Sequence, residues 1–111
     1  MSSARQPKRA APIGAEERRT LLAQGAILTG QQWARGERED LRGQGRRVTG
    51  GWPGTLSEAR ARAQAHSAAE LRRLGLAQLT FEELEQLAHA TYASARAYWL
   101  ARAEPEGPPD R

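Results

Sequence analysis

The sequence predicts a small all-α domain, and three observations carry that prediction. Two segments open with complete helix-start signals, Thr55 with Glu58 and Thr80 with Glu83, the spacing at which a capping box closes. Behind each signal, apolar side chains recur with the helical period. Residues that favour strands are scarce: the 111-residue chain has one Val and two Ile, too few to build a sheet.

The clearest element is a helix over about 81–103. Leu79 and Leu84 take the staple positions around the Thr80 cap. Phe81, Leu84, Leu87, Ala88, Thr91, Tyr92, Ala95, Tyr98 and Trp99 then fall on one broad face. Acids gather in its first turn while Arg96 and Arg102 come late, the order the helix dipole favours. A second helix is expected over about 56–74, with Gly75 as its left-handed terminator and Leu76 reaching back to Leu71. Its buried face is mostly Ala and Ser, which lets a neighbour approach closely. The short Gly75–Leu79 connection folds the two into an antiparallel hairpin.

A third helical segment is expected over about 15–35, with Leu21, Leu22, Leu28 and Trp33 on its apolar side. Gly25 and Gly30 each cost about 1 kcal/mol relative to Ala inside a helix, so the segment is expected to break between them. Residues 36–54 read as a long Gly- and Arg-rich loop, six of its 19 residues being Gly. Val48–Thr49 could form at most a brief strand. Trp52, held extended by Pro53, is expected to dock as a plug where the second helix begins.

The domain organisation follows. Residues 1–12 are expected to be a disordered basic tail and 104–111 a disordered acidic Pro-rich tail, both too poor in apolar side chains to offset chain entropy. The single folded unit is expected over 13–103. The absence of cysteine excludes disulfides and thiolate chemistry. No apolar stretch approaches the roughly 20 residues of a membrane span, and no h-region follows the basic start. The expectation is a soluble cytoplasmic protein without membrane contact.

Sixteen of the 17 basic residues are Arg, and Ala occurs 21 times. GC-rich coding accounts for that pairing better than a nucleic-acid role does. Residues 1–75 have a net charge of +7 and residues 76–111 of −3. A basic front of this kind attracts an anionic partner or the acidic back of a second copy.

Motifs for chemistry fail on inspection. Gly45-Arg46-Arg47-Val48-Thr49-Gly50 has P-loop glycine spacing, but Gly51-Trp52 stands where Lys-Ser/Thr is required. His66 and His89 fall on different helices. Glu82, Glu85 and His89 share a helix flank, but ordinary surface pairing explains them better than metal binding does. The expectation is a protein that is not an enzyme and has no catalytic, cofactor or metal site.

Two readings remain. In the first, the chain is a self-associating or partner-binding helical module that uses Leu87, Tyr98, Trp99 and Leu100. The reason for expecting self-association is a last-helix stripe too broad for its neighbours to cover. In the second, the chain binds nucleic acid through Arg5, Lys8, Arg9, the loop residues Arg42, Arg46 and Arg47, and Arg60, Arg62, Arg72 and Arg73. Three carboxylates at the start of the final helix oppose a standard recognition helix.

Overall fold

The computed structural model describes residues 13–104, so Arg5, Lys8 and Arg9, and residues 105–111, lie outside it. Three helices account for most of the described residues: α1 (Ala15–Gly43), α2 (Leu56–Leu74) and α3 (Phe81–Arg102). The anticipated capping boxes of α2 and α3 both form. Glu58 N donates to Thr55 Oγ1 at 3.1 Å and Glu83 N to Thr80 Oγ1 at 3.0 Å, and each glutamate accepts from its cap's backbone N–H in return. α2 ends as its sequence implies. Gly75 is left-handed with φ 69°, and Leu76 N donates to Leu71 O at 2.9 Å.

α1 departs from the sequence reading in two ways. It is one unbroken helix of 29 residues, and it runs to Gly43 through ground assigned to the loop. The connection to α2 therefore begins at Gln44. Gly45, with φ 76°, closes α1 by the same device as Gly75: Gly45 N donates to Arg42 O and Arg46 N to Leu41 O, both at 2.9 Å. Gly30 does not break the helix because tertiary contact requires glycine there. A Cβ at position 30 would collide with Thr91 O and approach Ser94 Cβ to 2.8 Å and Ala95 N to 2.9 Å. Gly25 faces His66 of α2, whose Nε2 would lie 2.9 Å from an added Cβ.

The Gly30 contact belongs to a continuous seam. Arg18 bonds Glu83, Thr91 Oγ1 donates to Ala26 O, and Ser94 Oγ donates to Ile27 O, at sequence separations of 65, 65 and 67. A nearly constant offset means that α1 and α3 run parallel in register. Ala26, Gly30 and Ala34 recur every four residues along α1, so small side chains let the two backbones close together. The buried stripe of α1 is thus Leu22, Ala26, Gly30, Trp33 and Ala34. Leu28 lies about 200° around the helix from Ala26 and is 54% exposed, contrary to its expected place on that face. Phe81 is also displaced from the expected stripe. It lies in the first turn of α3, level with the start of α1, and is 78% exposed.

α2 runs antiparallel to both. Its end joins a leucine cluster in which Leu71 meets Leu22 and Leu87, and its start joins a tryptophan cluster in which Ala59 meets Trp33, Ala95 and Trp99. Trp52 supplies the plug. Its ring sits edge-on to Trp33, with centroids 4.8 Å apart, and to Trp99 at 5.3 Å. Gly54 rests so close to these rings that a Cβ would come within 2.7 Å of Trp33. Val48 is fully buried among them rather than in a strand, and Thr49 makes a single parallel bridge to Glu104. Glu104, assigned from sequence to the acidic tail, is therefore part of the fold: its N–H donates to Val48 O at 2.7 Å.

Candidate docking face

α2 packs against one side of the parallel α1–α3 pair. On another side the two helices leave an open trough, with Ile27 and Gln31 of α1 along one wall and Ala90, Ala93, Ala97 and Tyr98 of α3 along the other. Ala90, Ala93, Ala97 and Leu100 follow one another at intervals of three and four, so α3 presents one narrow apolar strip outward. Ile27 and Leu100 remain 44% and 43% exposed. Ser94 closes the floor by bonding Ile27 O at 2.7 Å, which leaves its hydroxyl engaged rather than facing an incoming group.

The trough has unlike ends. At the start of the helices its walls carry Glu82 and Gln86 with Arg19, beside the Arg18–Glu83 pair. At the far end the Arg102 guanidinium sits over the Tyr98 ring, its carbon 3.8 Å from the ring centroid. Charge is unevenly divided along the bundle as a whole. The half that contains the tryptophans (residues 33–62 and 95–104) has nine Arg and five acids. The other half (13–32 and 63–94) has four Arg and six acids.

Comparison with protein-family models, with curated proteins and with solved structures finds no match. The functional reading therefore stands on the geometry of this chain.

The structure separates the residues that sequence grouped as partner contacts. Leu87 and Trp99 are buried in the chain's own core, 6% and 1% exposed, because α1 and Trp52 cover the stripe that the sequence left partly bare. The uncovered stripe offered as the reason for self-association is therefore not present. Tyr98 and Leu100 do reach the surface. Sequence reasoning missed Ile27, Ala90, Ala93 and Ala97, since alanines on an outer face give no periodic apolar signal. Only the three-and-four spacing of the alanines could have marked them.

The basic candidates are mostly committed within the fold. Arg60 makes a two-pronged pair with Glu85 at 2.7 and 2.9 Å, which holds the Glu85 carboxyl below its ordinary pKa. Arg73 pairs with Glu70 at 2.6 Å, and Glu70 is likewise lowered. Arg47 and Arg42 both reach Glu104, at 3.2 and 3.8 Å. Arg62 stacks on Trp33 at 4.7 Å. Arg46 and Arg72 stay exposed at opposite ends of the bundle. Arg42, Arg46, Arg47, Arg60 and Arg62 lie in the tryptophan half, and Arg72 and Arg73 in the other.

His66 and His89 are exposed on different helices, and Glu85 of the Glu82–Glu85–His89 flank is taken up by Arg60. Among the described residues no three His, Asp or Glu side chains converge as a metal ion requires. No described helix is long and apolar enough to cross a membrane.

Proposed function

We propose that this protein is a non-catalytic helical docking module whose working surface is the α1–α3 trough. The observation that carries the proposal is the Ala90–Ala93–Ala97 strip beside the half-exposed Ile27. A strip of alanines admits a helix backbone at the short end of the usual 8–10 Å interaxial range, and Ile27 supplies the side chain that such a helix would bury. The seat is that of the missing fourth helix in a four-helix bundle. The engaged state of most arginines supports this reading over nucleic-acid binding, which needs free cations along a continuous track.

The test is site-specific photo-crosslinking in cells, with the probe at Ala93 or Ala97 and, as controls, at the exposed Ala61 or Ala65 of α2. The expected result is discrete protein adducts from the two trough positions and none from the controls. Equal labelling at all four positions, or adducts to nucleic acid alone, would overturn the proposal.

A further inference from the structure

We infer that the cleft beside the end of α2 is a binding site for a small amphipathic carboxylate, an alkyl chain that ends in one carboxylate group. The cleft has a volume of about 440 Å³ and lies between Ala68, Leu71 and Arg72 of α2 and Leu76, Gln78 and Leu79 of the connection to α3. That volume is of the size small-molecule sites use. The cleft is separate from the α1–α3 trough, and no residue lines both.

The wall formed by the connection is pinned from two sides. Leu76 N donates to Leu71 O at 2.9 Å, which folds the chain back against the last turn of α2. From α1, Arg18 donates to Ala77 O at 2.8 Å and to Gln78 O at 3.0 Å while its other donors hold Glu83. The cleft is thus built into the fold, and a ligand does not have to open it. Its floor is apolar. Leu71 is 1% exposed, and Leu76 and Leu79 pack against the same leucine cluster.

Arg72 is the one charged residue in the lining. Its neighbours on α2 are committed, Arg73 to Glu70 and Arg60 to Glu85, whereas Arg72 has no ion pair among the described residues. The helix end does not oppose an anion as strongly as a bare C-terminus would. Leu71 O and Arg72 O, which would otherwise face outward there, accept from the backbone N–H groups of Gly75 and Leu76. An unengaged guanidinium offers a planar fork that a carboxylate meets with two parallel hydrogen bonds. A single cation matches a single negative charge, which favours a carboxylate over a phosphate dianion. Gln64, Ala68 and Arg72 follow one another at intervals of four along the cleft, about 12 Å from first to last. An alkyl chain laid along that row, with its carboxylate at Arg72, covers the leucines and points toward Gln64.

The experiment is an amide-detected NMR titration of the full chain with octanoate. Two controls divide the ligand: 1-octanol has the chain without the charge, and acetate has the charge without the chain. Octanoate is expected to give saturable shifts confined to residues 64–79, the side-chain amides of Gln64 and Gln78 included. It is expected to bind at least about tenfold more tightly than either control. Arg72→Gln should weaken octanoate by about tenfold, the scale of one charge-assisted pair, and leave octanol unchanged. Arg73→Gln, which removes the arginine that Glu70 already holds, should leave octanoate unchanged. Ala68→Trp fills the cleft and should abolish binding of both chains, with thermal melting showing that the fold is retained.

No saturable shift at millimolar octanoate would overturn the inference. Shifts gathered in the trough or around the tryptophans would overturn it too. So would octanol binding as tightly as octanoate with Arg72→Gln without effect, since the cleft would then be an indifferent apolar surface. Inorganic phosphate displacing octanoate at equal concentration would overturn the carboxylate as the recognised group. Crosslinking at Ala93 and Ala97 does not depend on any of these results, so the docking reading and this site stand or fall separately.

Discussion

The Arg18 guanidinium grips both oxygens of Glu83, Nε to Oε2 at 2.7 Å and Nη2 to Oε1 at 2.9 Å, and its remaining donors reach Ala77 O and Gln78 O at 2.8 and 3.0 Å. One side chain of α1 thus ties down the α2–α3 connection and the start of α3 together. Glu83 has a second task, because the oxygen that accepts from Arg18 Nη2 also accepts from Thr80 N at 2.9 Å in the capping box. Arg18 foremost, then the Thr80 N–H, hold this carboxyl well below the usual range, at about 2.

A pH dependence follows from that lowering. A carboxyl with a depressed folded pKa contributes stability above its unfolded value near 4.3, and that contribution disappears as pH falls from there through about 2. Partial exposure of the pair screens it, so the expected contribution at neutral pH is about 1–2 kcal/mol, below the full linkage value. Urea melts of the parent and of Glu83→Gln, repeated from neutral to strongly acidic buffer, check this. The parent should lose stability steeply below about pH 4, and the variant should begin lower and lose less. Identical acid slopes would remove Glu83 from the account.

The glycines of α1 give opposite expectations for the same substitution. At Gly36 nothing lies within 4 Å of an added Cβ, so Gly36→Ala should stabilise by about 0.5–1 kcal/mol through helix propensity. At Gly30 the same methyl meets the backbone of α3, and Gly30→Ala should destabilise by roughly 1–3 kcal/mol, the range for overpacking. Thermal melts of the two single variants settle the signs. Stabilisation at both positions would mean that α1 and α3 are not in close contact.

Trp52 and Trp99 are both buried, but only one uses its N–H. Trp99 Nε1 donates to Gly50 O at 3.1 Å, whereas Trp52 Nε1 has no hydrogen-bond partner among the described residues. Replacement by Phe removes a similar volume at each site. Trp99→Phe should therefore cost about 1 kcal/mol more than Trp52→Phe, the typical net worth of one hydrogen bond. Denaturant midpoints of the two variants measure the difference, and equal losses would show that the Gly50 bond adds nothing.

The sequence was most legible where a local signal decides the outcome. The capping boxes at Thr55 and Thr80, the Gly75 terminator and the docking of Trp52 can each be read from a few neighbouring residues. What escaped depends on contacts far apart along the chain. Gly30 scores as a helix breaker in isolation, and only the nearness of Thr91 and Ala95 explains it. Leu28 and Phe81 look like core until the register of α1 against α3 is known. The trough was illegible for a similar reason: its alanines acquire meaning only when Ile27, more than sixty residues away, stands beside them.

Leu87 and Leu100 make the sharpest pair for testing that register. Both lie on α3, and sequence alone set them together as possible contacts for a partner helix. In the fold they part. Leu87 is 6% exposed and packed with Leu22 and Leu71, while Leu100 faces outward at 43%. Truncation at Leu87 would leave a cavity between all three helices, and Leu87→Ala should lose roughly 2–5 kcal/mol, as buried leucines do. Truncation at Leu100 removes side chain that solvent already reaches, and Leu100→Ala should fall within about 0.5 kcal/mol of the parent. Urea melts at a single low protein concentration keep association out of the comparison. A large loss at Leu100 with little at Leu87 would mean that α3 is rotated from the position described, and the Ala90–Ala93–Ala97 strip would then lie in the core rather than along the trough.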